Sequence, residues 1–210
     1  MSKIAIIGFG SLIWDLDDLA PKVCGGWKMY AGPALPLEFS LVSKKRQLAL
    51  ALVIDHQDGQ VCPTCIIDSS QTELASAISD LAARERTDKS NIGFIHRNTH
   101  DYFCWDERTH DVLRDWINKS LYDAAIWTDG KRNFEEFTGN AFTVKNAIQH
   151  LDTLNQVGLD EARRYINKAP KQVQTPLRHQ LEKSGWLTAQ NNEELHPHSC
   201  YLISGQTRRR

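Results

Sequence analysis

Apolar and polar positions change texture three times along the chain. Lys3 to Ile7 is a short Ile-rich run ended by Gly8, which predicts a buried strand entering a tight turn. Leu37 to Ser43 sets Leu37, Phe39 and Leu41 against Glu38, Ser40 and Val42, the alternation of a strand with one wet face. Gln47 to Asp55 reads as a longer apolar strand. Asp58-Gly59 is a hairpin turn signal, and Val61 to Asp68 returns as the next strand, pushed towards an edge or a bulge by Pro63.

The period then shifts from two to that of a helix. Leu74, Ala77, Ile78 and Leu81 share a helical face, and Ser70 and Glu73 have capping-box spacing. This predicts a helix over 73–83 that runs towards Arg84-Glu85-Arg86-Thr87. Ile92 to Ile95, Asp101 to Trp105 and Ala124 to Thr128 read as further strand pieces. Beyond Phe142 the texture is helical: Val144, Ala147, Ile148 and Leu151, then Ala162, Tyr165 and Ile166, then Leu177 to Glu182 behind Thr175-Pro176. No linker or internal repeat interrupts the chain. The expectation is one α+β domain over residues 1–205, with a helical C-terminal part at about 143–190 and a basic tail at 206–210.

Composition narrows the function classes. The 210 residues are 41% hydrophobic and 24% charged, as in ordinary globular proteins. A formal net charge of -1 argues against a nucleic-acid surface. No run approaches the roughly 18 apolar residues of a membrane span, and Ile4 to Ile7 is too short for a secretory signal core. Five cysteines suit a reducing compartment better than a disulfide scaffold. A cytoplasmic protein without nucleic-acid or membrane partners is expected, its oligomeric state open.

Gly8-Phe9-Gly10 behind a strand invites a dinucleotide reading. That fingerprint needs a small residue three positions after its second glycine. Ile13 stands there, and consecutive strands follow rather than a βαβ unit. The alternative use of such a loop is to bring bare backbone N–H groups against a carboxylate or a developing oxyanion, with Ser11 adding a hydroxyl. A plain tight turn is the competing structural reading.

Gly8-Phe9-Gly10-Ser11-Leu12-Ile13-Trp14 resembles the signature that opens the γ-glutamylcyclotransferase-like superfamily, including its glutathione-specific ChaC-like branch. Members commonly carry Tyr where this chain has Phe9. Leu81 to Thr87 resembles the family's second motif, a helix ending in L-x-x-x-E whose Glu is catalytic; Glu85 matches it. The C-terminal stretch is similar to a subset of bacterial members with a longer helical end. The resemblance implies a mixed β-barrel or curled sheet with flanking helices and a helical C-terminal extension. It implies a small γ-glutamyl substrate closed to 5-oxoproline, with Glu85 as general acid/base and no cofactor or metal. Gly8, Phe9, Gly10, Ser11, Leu12 and Trp14 would then bind substrate. Relatives place a Tyr against the substrate near the C-terminal stretch; here Arg178 or Tyr165 takes that place, Arg178 through a two-pronged grip on a carboxylate. A working base also requires Arg84 and Arg86 to point away from Glu85, at least in part. The alternative is a non-catalytic protein of the same fold that binds or senses a small carboxylate.

Other residues suggest different chemistry. Cys62-Pro63-Thr64-Cys65 has redox-motif spacing but falls in a predicted strand, whereas redox pairs sit at helix N-termini. His196 and His198 would complete four zinc ligands with that pair, although the histidine clusters themselves lack the paired spacing that marks a strong zinc motif. His96, His100 and Cys104 would share a face if their segment were helical. Structural cysteines and solvated histidines are the default.

Overall fold

The computed structural model describes residues 2–188. Strand β1 (Ile4–Gly8) is buried along its whole length. Its alternate residues serve two different apolar clusters: Ile4 and Ile6 one, Ala5 and Ile7 the other. That division follows from the two-residue period of a strand covered on both faces. After it come β2 (Val23–Lys28), β3 (Ala34–Val42), β4 (Leu50–Ile54), β5 (Gln60–Pro63) and β6 (Cys65–Ser69). Helix α1 (Leu74–Glu85), β7 (Ile92–His96), β8 (Tyr102–Phe103), α2 (Glu107–Lys119) and β9 (Ala124–Thr128) continue the chain. Four more helices follow: α3 (Phe134–Thr138), α4 (Val144–Asp152), α5 (Gln156–Lys168) and α6 (Pro176–Lys183).

The described strands form two sheets. The larger has the order β2-β6-β1-β9-β7-β8, and the smaller β4-β3-β5. β1 pairs parallel to β9 and antiparallel to β6. Helix α1 covers one face of the large sheet, where Ala77 and Leu81 join Ile4, Ile6 and Ile126. The small sheet and the C-terminal helices cover the other, where Phe39, Leu50, Tyr165 and Leu177 join Ile7 and Trp127. The α+β class is therefore present; of the two expected forms, barrel or curled sheet, the described strands do not close into a barrel. No helix among the described residues is long and apolar enough to cross a membrane.

Several local expectations change. Val61 to Asp68 is two strands, broken at Thr64. Thr64 is fully buried; its hydroxyl donates to Pro33 O (2.7 Å) and its carbonyl accepts from Gly32 N (3.0 Å). The chain changes sheets there, leaving β5 as the edge that Pro63 favours. Asp58-Gly59 does not close a hairpin, because β4 and β5 flank β3 on opposite sides. No capping box forms at Ser70: α1 starts at Leu74 behind Glu73, with no side-chain cap. Helix α2, absent from the sequence reading, is capped by Asp106, which accepts from Arg108 N. Helix α6 begins as expected, with Thr175 accepting from Arg178 N (3.2 Å) and Pro176 in its first turn.

The wet face expected on β3 is not wet at Glu38. Its side chain is fully buried and accepts from Phe39 N (2.7 Å) and Leu177 N (3.2 Å), fastening β3 to the start of α6. Burial pushes its carboxyl up from 4.5 to about 7, and neighbouring Asp55 adds to the rise. Between those two values the folded protein holds a proton that the unfolded chain has lost. Stability from Glu38 is thus full below pH 4.5 and falls as pH rises through about 7. We expect the stability of wild type relative to Glu38→Gln to drop by on the order of 3 kcal/mol across that window. Urea unfolding at a series of pH values measures it, and a flat difference would contradict the assignment.

Candidate active site

Strand β1 delivers the glycine loop to the margin where the layers meet. Gly10 O accepts from Ile13 N (3.1 Å), closing a short 3-10 turn over Ser11–Ile13. The loop's glycines are needed for space rather than for a left-handed backbone, since neither Gly8 nor Gly10 has a positive φ. A Cβ on Gly8 would lie 2.5 Å from the Trp27 ring, and one on Gly10 would lie 2.6 Å from the Tyr165 hydroxyl oxygen.

A cavity of about 590 Å³ opens here. Gly8, Phe9, Gly10, Ser11 and Leu12 form one wall, and Glu85, at the C-terminal end of α1, lies on the same cavity. Two motifs some 75 residues apart in sequence are thus brought together. β4 contributes Ala51 to Val53, and α5 contributes Tyr165.

Glu85 does not stand clear of its neighbours. Arg84, 7% exposed at its side chain, donates Nη1 to Glu85 Oε1 at 2.9 Å. Its Nη2 donates to the carbonyl of Asp15, just beyond the glycine loop. The expectation that Arg84 points away is therefore overturned: a buried guanidinium has few partners to choose from, and the adjacent carboxylate is one. Arg86 does turn away, to Asp17 (3.2 Å). Among the described residues no donor reaches Glu85 Oε2, so that oxygen remains for a ligand. Lys45 Nζ donates to the carbonyls of Glu85 (2.7 Å) and Arg86 (2.9 Å), satisfying the end of α1.

Tyr165 is the C-terminal residue that reaches the cavity. Burial raises its pKa, so it is a neutral phenol at ordinary pH; Arg46 and backbone hydrogen bonds from Leu52 and Ser11 pull the other way. The Arg46 guanidinium lies over its ring at 4.5 Å. The phenol oxygen lies against the loop, close enough to exclude a Cβ on Gly10.

Arg178 does not line the cavity. It is buried, bonds Glu182 through Nε (2.9 Å), and donates Nη1 to the carbonyls of Ala169, Pro170 and Val173. Its two-pronged capacity is spent on the backbone behind α5. Trp14 backs the site rather than lining it, packing edge-on against Tyr165 with centroids 5.3 Å apart. The sequence reading missed Asp15, Lys44, Lys45, Arg46 and Lys131, all on the cavity. The basic triplet Lys44-Lys45-Arg46 was the available signal.

The rival chemistries find little support. Cys62 and Cys65 are free and buried, in different sheets, and burial pushes both thiols up, opposite to a redox-active thiol. His96 ends a strand and His100 follows the turn at 97–99, so they share no helical face with Cys104. Among the described residues no group of three or more His, Cys, Asp or Glu is placed to hold a metal. His196 and His198 lie outside the described residues. A second cavity of about 560 Å³ is lined by carboxamides, hydroxyls and aromatic rings, with His150 its one titratable side chain. It offers no carboxylate for acid–base work.

Two outcomes follow. Gly10→Ala should cost roughly 1–3 kcal/mol through its clash with Tyr165. In a Tyr165→Phe background the penalty should shrink, because the next nearest atom, Cζ, is 3.7 Å away. A double-mutant cycle by thermal unfolding reads the coupling. Arg178→Ala should remove on the order of 3 kcal/mol, or roughly 6–12 °C in Tm, by orphaning three carbonyls. Ligand affinity of the folded fraction should fall by no more than about a few-fold, through loosening of α5; a loss of roughly 100-fold, as for a severed charged hydrogen bond, would return Arg178 to the site.

No family model matches the chain, and neither does any curated protein or solved structure.

Proposed function

We propose that the protein is a γ-glutamyl cyclotransferase that converts a small γ-glutamyl compound to 5-oxoproline and a free amine or peptide. The observation that carries this reading is the convergence of Glu85 and the Gly8 to Leu12 loop on one cavity. In the reaction the substrate's α-nitrogen attacks its own γ-carbonyl carbon. A new C–N bond closes the five-membered ring, and the bond to the leaving nitrogen breaks. The α-ammonium must first give up a proton, and the leaving nitrogen must later gain one. A single carboxylate placed between the two nitrogens serves both transfers.

Glu85 takes that role through Oε2, while Arg84 holds Oε1 and fixes the carboxylate plane. The tetrahedral oxygen needs donors, and the loop N–H groups around Gly10 to Leu12 are the nearest set. The neutral Tyr165 hydroxyl, which lies against Gly10, supplies a further donor. Each such donor is typically worth a factor of about 10² to 10³. The reaction is intramolecular, so most of the remaining work is enforcing a folded substrate pose.

A second reading has one observation on its side. The Arg84–Glu85 bond ties up one oxygen of the carboxylate that must carry the proton, as suits a protein that binds a small carboxylate without turning it over. One experiment separates the two. Purified protein is incubated with γ-glutamyl peptides and amines, glutathione included, and 5-oxoproline is followed by mass spectrometry. Wild type should form product, and Glu85→Gln should be slower by at least about 100-fold. Binding without product from wild type favours the second reading; equal product from both proteins removes Glu85 from its role.

A further inference from the structure

The second cavity, of about 560 Å³, has no part in the chemistry proposed for Glu85. The turn between β3 and β4 gives Lys44, Lys45 and Arg46 to the glycine-loop cavity and Gln47 and Leu48 to this one; the two cavities share no lining residue. Its size falls within the roughly 300–1,000 Å³ of small-molecule sites. None of its described lining residues is Asp, Glu, Lys or Arg, in a chain that is 24% charged. Carboxamides stand there instead: Gln47, Asn140, Asn146, Gln149 and Asn155. The backbone on this wall is held in an uncommon shape. Gln47 (φ 54°) and Leu48 (φ 66°) are both left-handed, a state that residues other than glycine keep only where their surroundings enforce it. Here His150 Nε2 donates to Leu48 O (2.9 Å). Gly158 lets α5 come close, since a Cβ there would lie 2.8 Å from Gln47 O.

Two of the carboxamides are half spent, in opposite senses. Asn155 Oδ1 accepts from Gly158 N (2.9 Å), which leaves its Nδ2 to donate; Asn146 Nδ2 donates to Ala141 O (2.8 Å), which leaves its Oδ1 to accept. The Gln47 and Gln149 side chains make no hydrogen bond among the described residues, so each keeps both functions. Thr153 Oγ1 donates to His150 O (2.7 Å) and keeps its lone pairs for accepting. Such a lining offers donors and acceptors together and no charge. An ionic ligand would lose hydration there without gaining a counter-charge. A hydroxyl both donates and accepts, so a ligand rich in hydroxyls matches the lining. The apolar share comes from Phe137, 39% exposed and edge-on to His150 with centroids 6.2 Å apart, whereas Phe134 is buried. A single open ring suits the C–H face of a pyranose, while a planar base is better held between two rings. We propose that this cavity binds an uncharged sugar, its hydroxyls held by the carboxamides and one C–H face laid on Phe137. The site stands apart from the cyclotransferase reading and does not rest on it.

The test titrates glucose, galactose and maltose, with adenosine as the planar comparison, into wild type, Gln149→Ala and Phe137→Ala. Binding is read by calorimetry and by the side-chain amide signals of Asn and Gln in NMR spectra. Phe137→Leu takes the place of Phe137→Ala if thermal unfolding shows that the alanine variant does not fold. At least one sugar should bind wild type with a Kd of about 1 mM or tighter, shift the carboxamide signals, and keep its affinity as salt is raised. Each variant should weaken that binding by roughly 3- to 10-fold. Glu85→Gln should bind the sugar as wild type does, so a failure of the cyclotransferase chemistry leaves this result standing. Adenosine binding at Gln149 and Phe137 in preference to every sugar would overturn the sugar assignment. No sugar binding, or binding that both variants leave unchanged, would remove the site.

Discussion

Everything at the site depends on β1 being buried on both faces. A strand in that position must be apolar at every residue, and Ile4 to Ile7 meet the demand. Its neighbours β6 and β9 satisfy its backbone on either side. The loop at its end therefore leaves a fixed point, and it leaves where three layers meet: α1 below, the sheet itself, and β4 with α5 above. Each layer then adds one part of the cavity. Glu85 comes from α1, the bare backbone from the loop, and Tyr165 from α5. The glycines are the packing consequence, since Trp27 presses on Gly8 and the Tyr165 hydroxyl on Gly10.

Buried polar groups hold these layers in register at some cost to stability. Arg84 links the end of α1 to the Asp15 carbonyl as well as to Glu85, so the carboxylate and the glycine loop share one guanidinium. Its Nε has no partner among the described residues. A buried arginine left partly unsatisfied is a poor source of stability. Its value here is geometric: it holds Oε1 of Glu85 and leaves Oε2 without a donor among the described residues. The left-handed turn at Arg86, φ 52°, then ends the helix, and Lys45 closes its last carbonyls.

Much of this was legible in the sequence, for reasons that can be named. β1 and its glycine loop announce themselves by a short apolar run cut off sharply. The last helices do so by clean periodicity, with Thr175 and Pro176 marking the start of α6. What escaped was information that is not local. β2 has Gly25 and Gly26 at its centre and an irregular register against β6, so it reads as a loop. Helix α2 is polar overall, and its buried positions, Thr109, Leu113 and Ile117, include only two apolar side chains. The change of sheet at Thr64 hides inside one continuous apolar stretch. The candidate site shows the same division. Its two motifs could be read from the chain, but the Arg84–Glu85 bond depends on how deeply the end of α1 is buried.

Arg178 shows how a residue can bear on the site without touching a ligand. Its guanidinium gathers the carbonyls of Ala169, Pro170 and Val173, the segment that leaves α5. Glu38 anchors the other end of the same assembly by accepting from Leu177 at the start of α6. Between these two buried groups the path from α5 to α6 has little freedom. Helix α5 is thereby held against β3 and β4, where Phe39 and Leu52 meet Tyr165. A phenol must approach Gly10 closely enough to exclude a Cβ, and only a helix fixed at its far end can hold it there. Helix α5, through Tyr165, is thus the third wall of the cavity, and the buried side chains of Arg178 and Glu38 hold the segment that follows it in place.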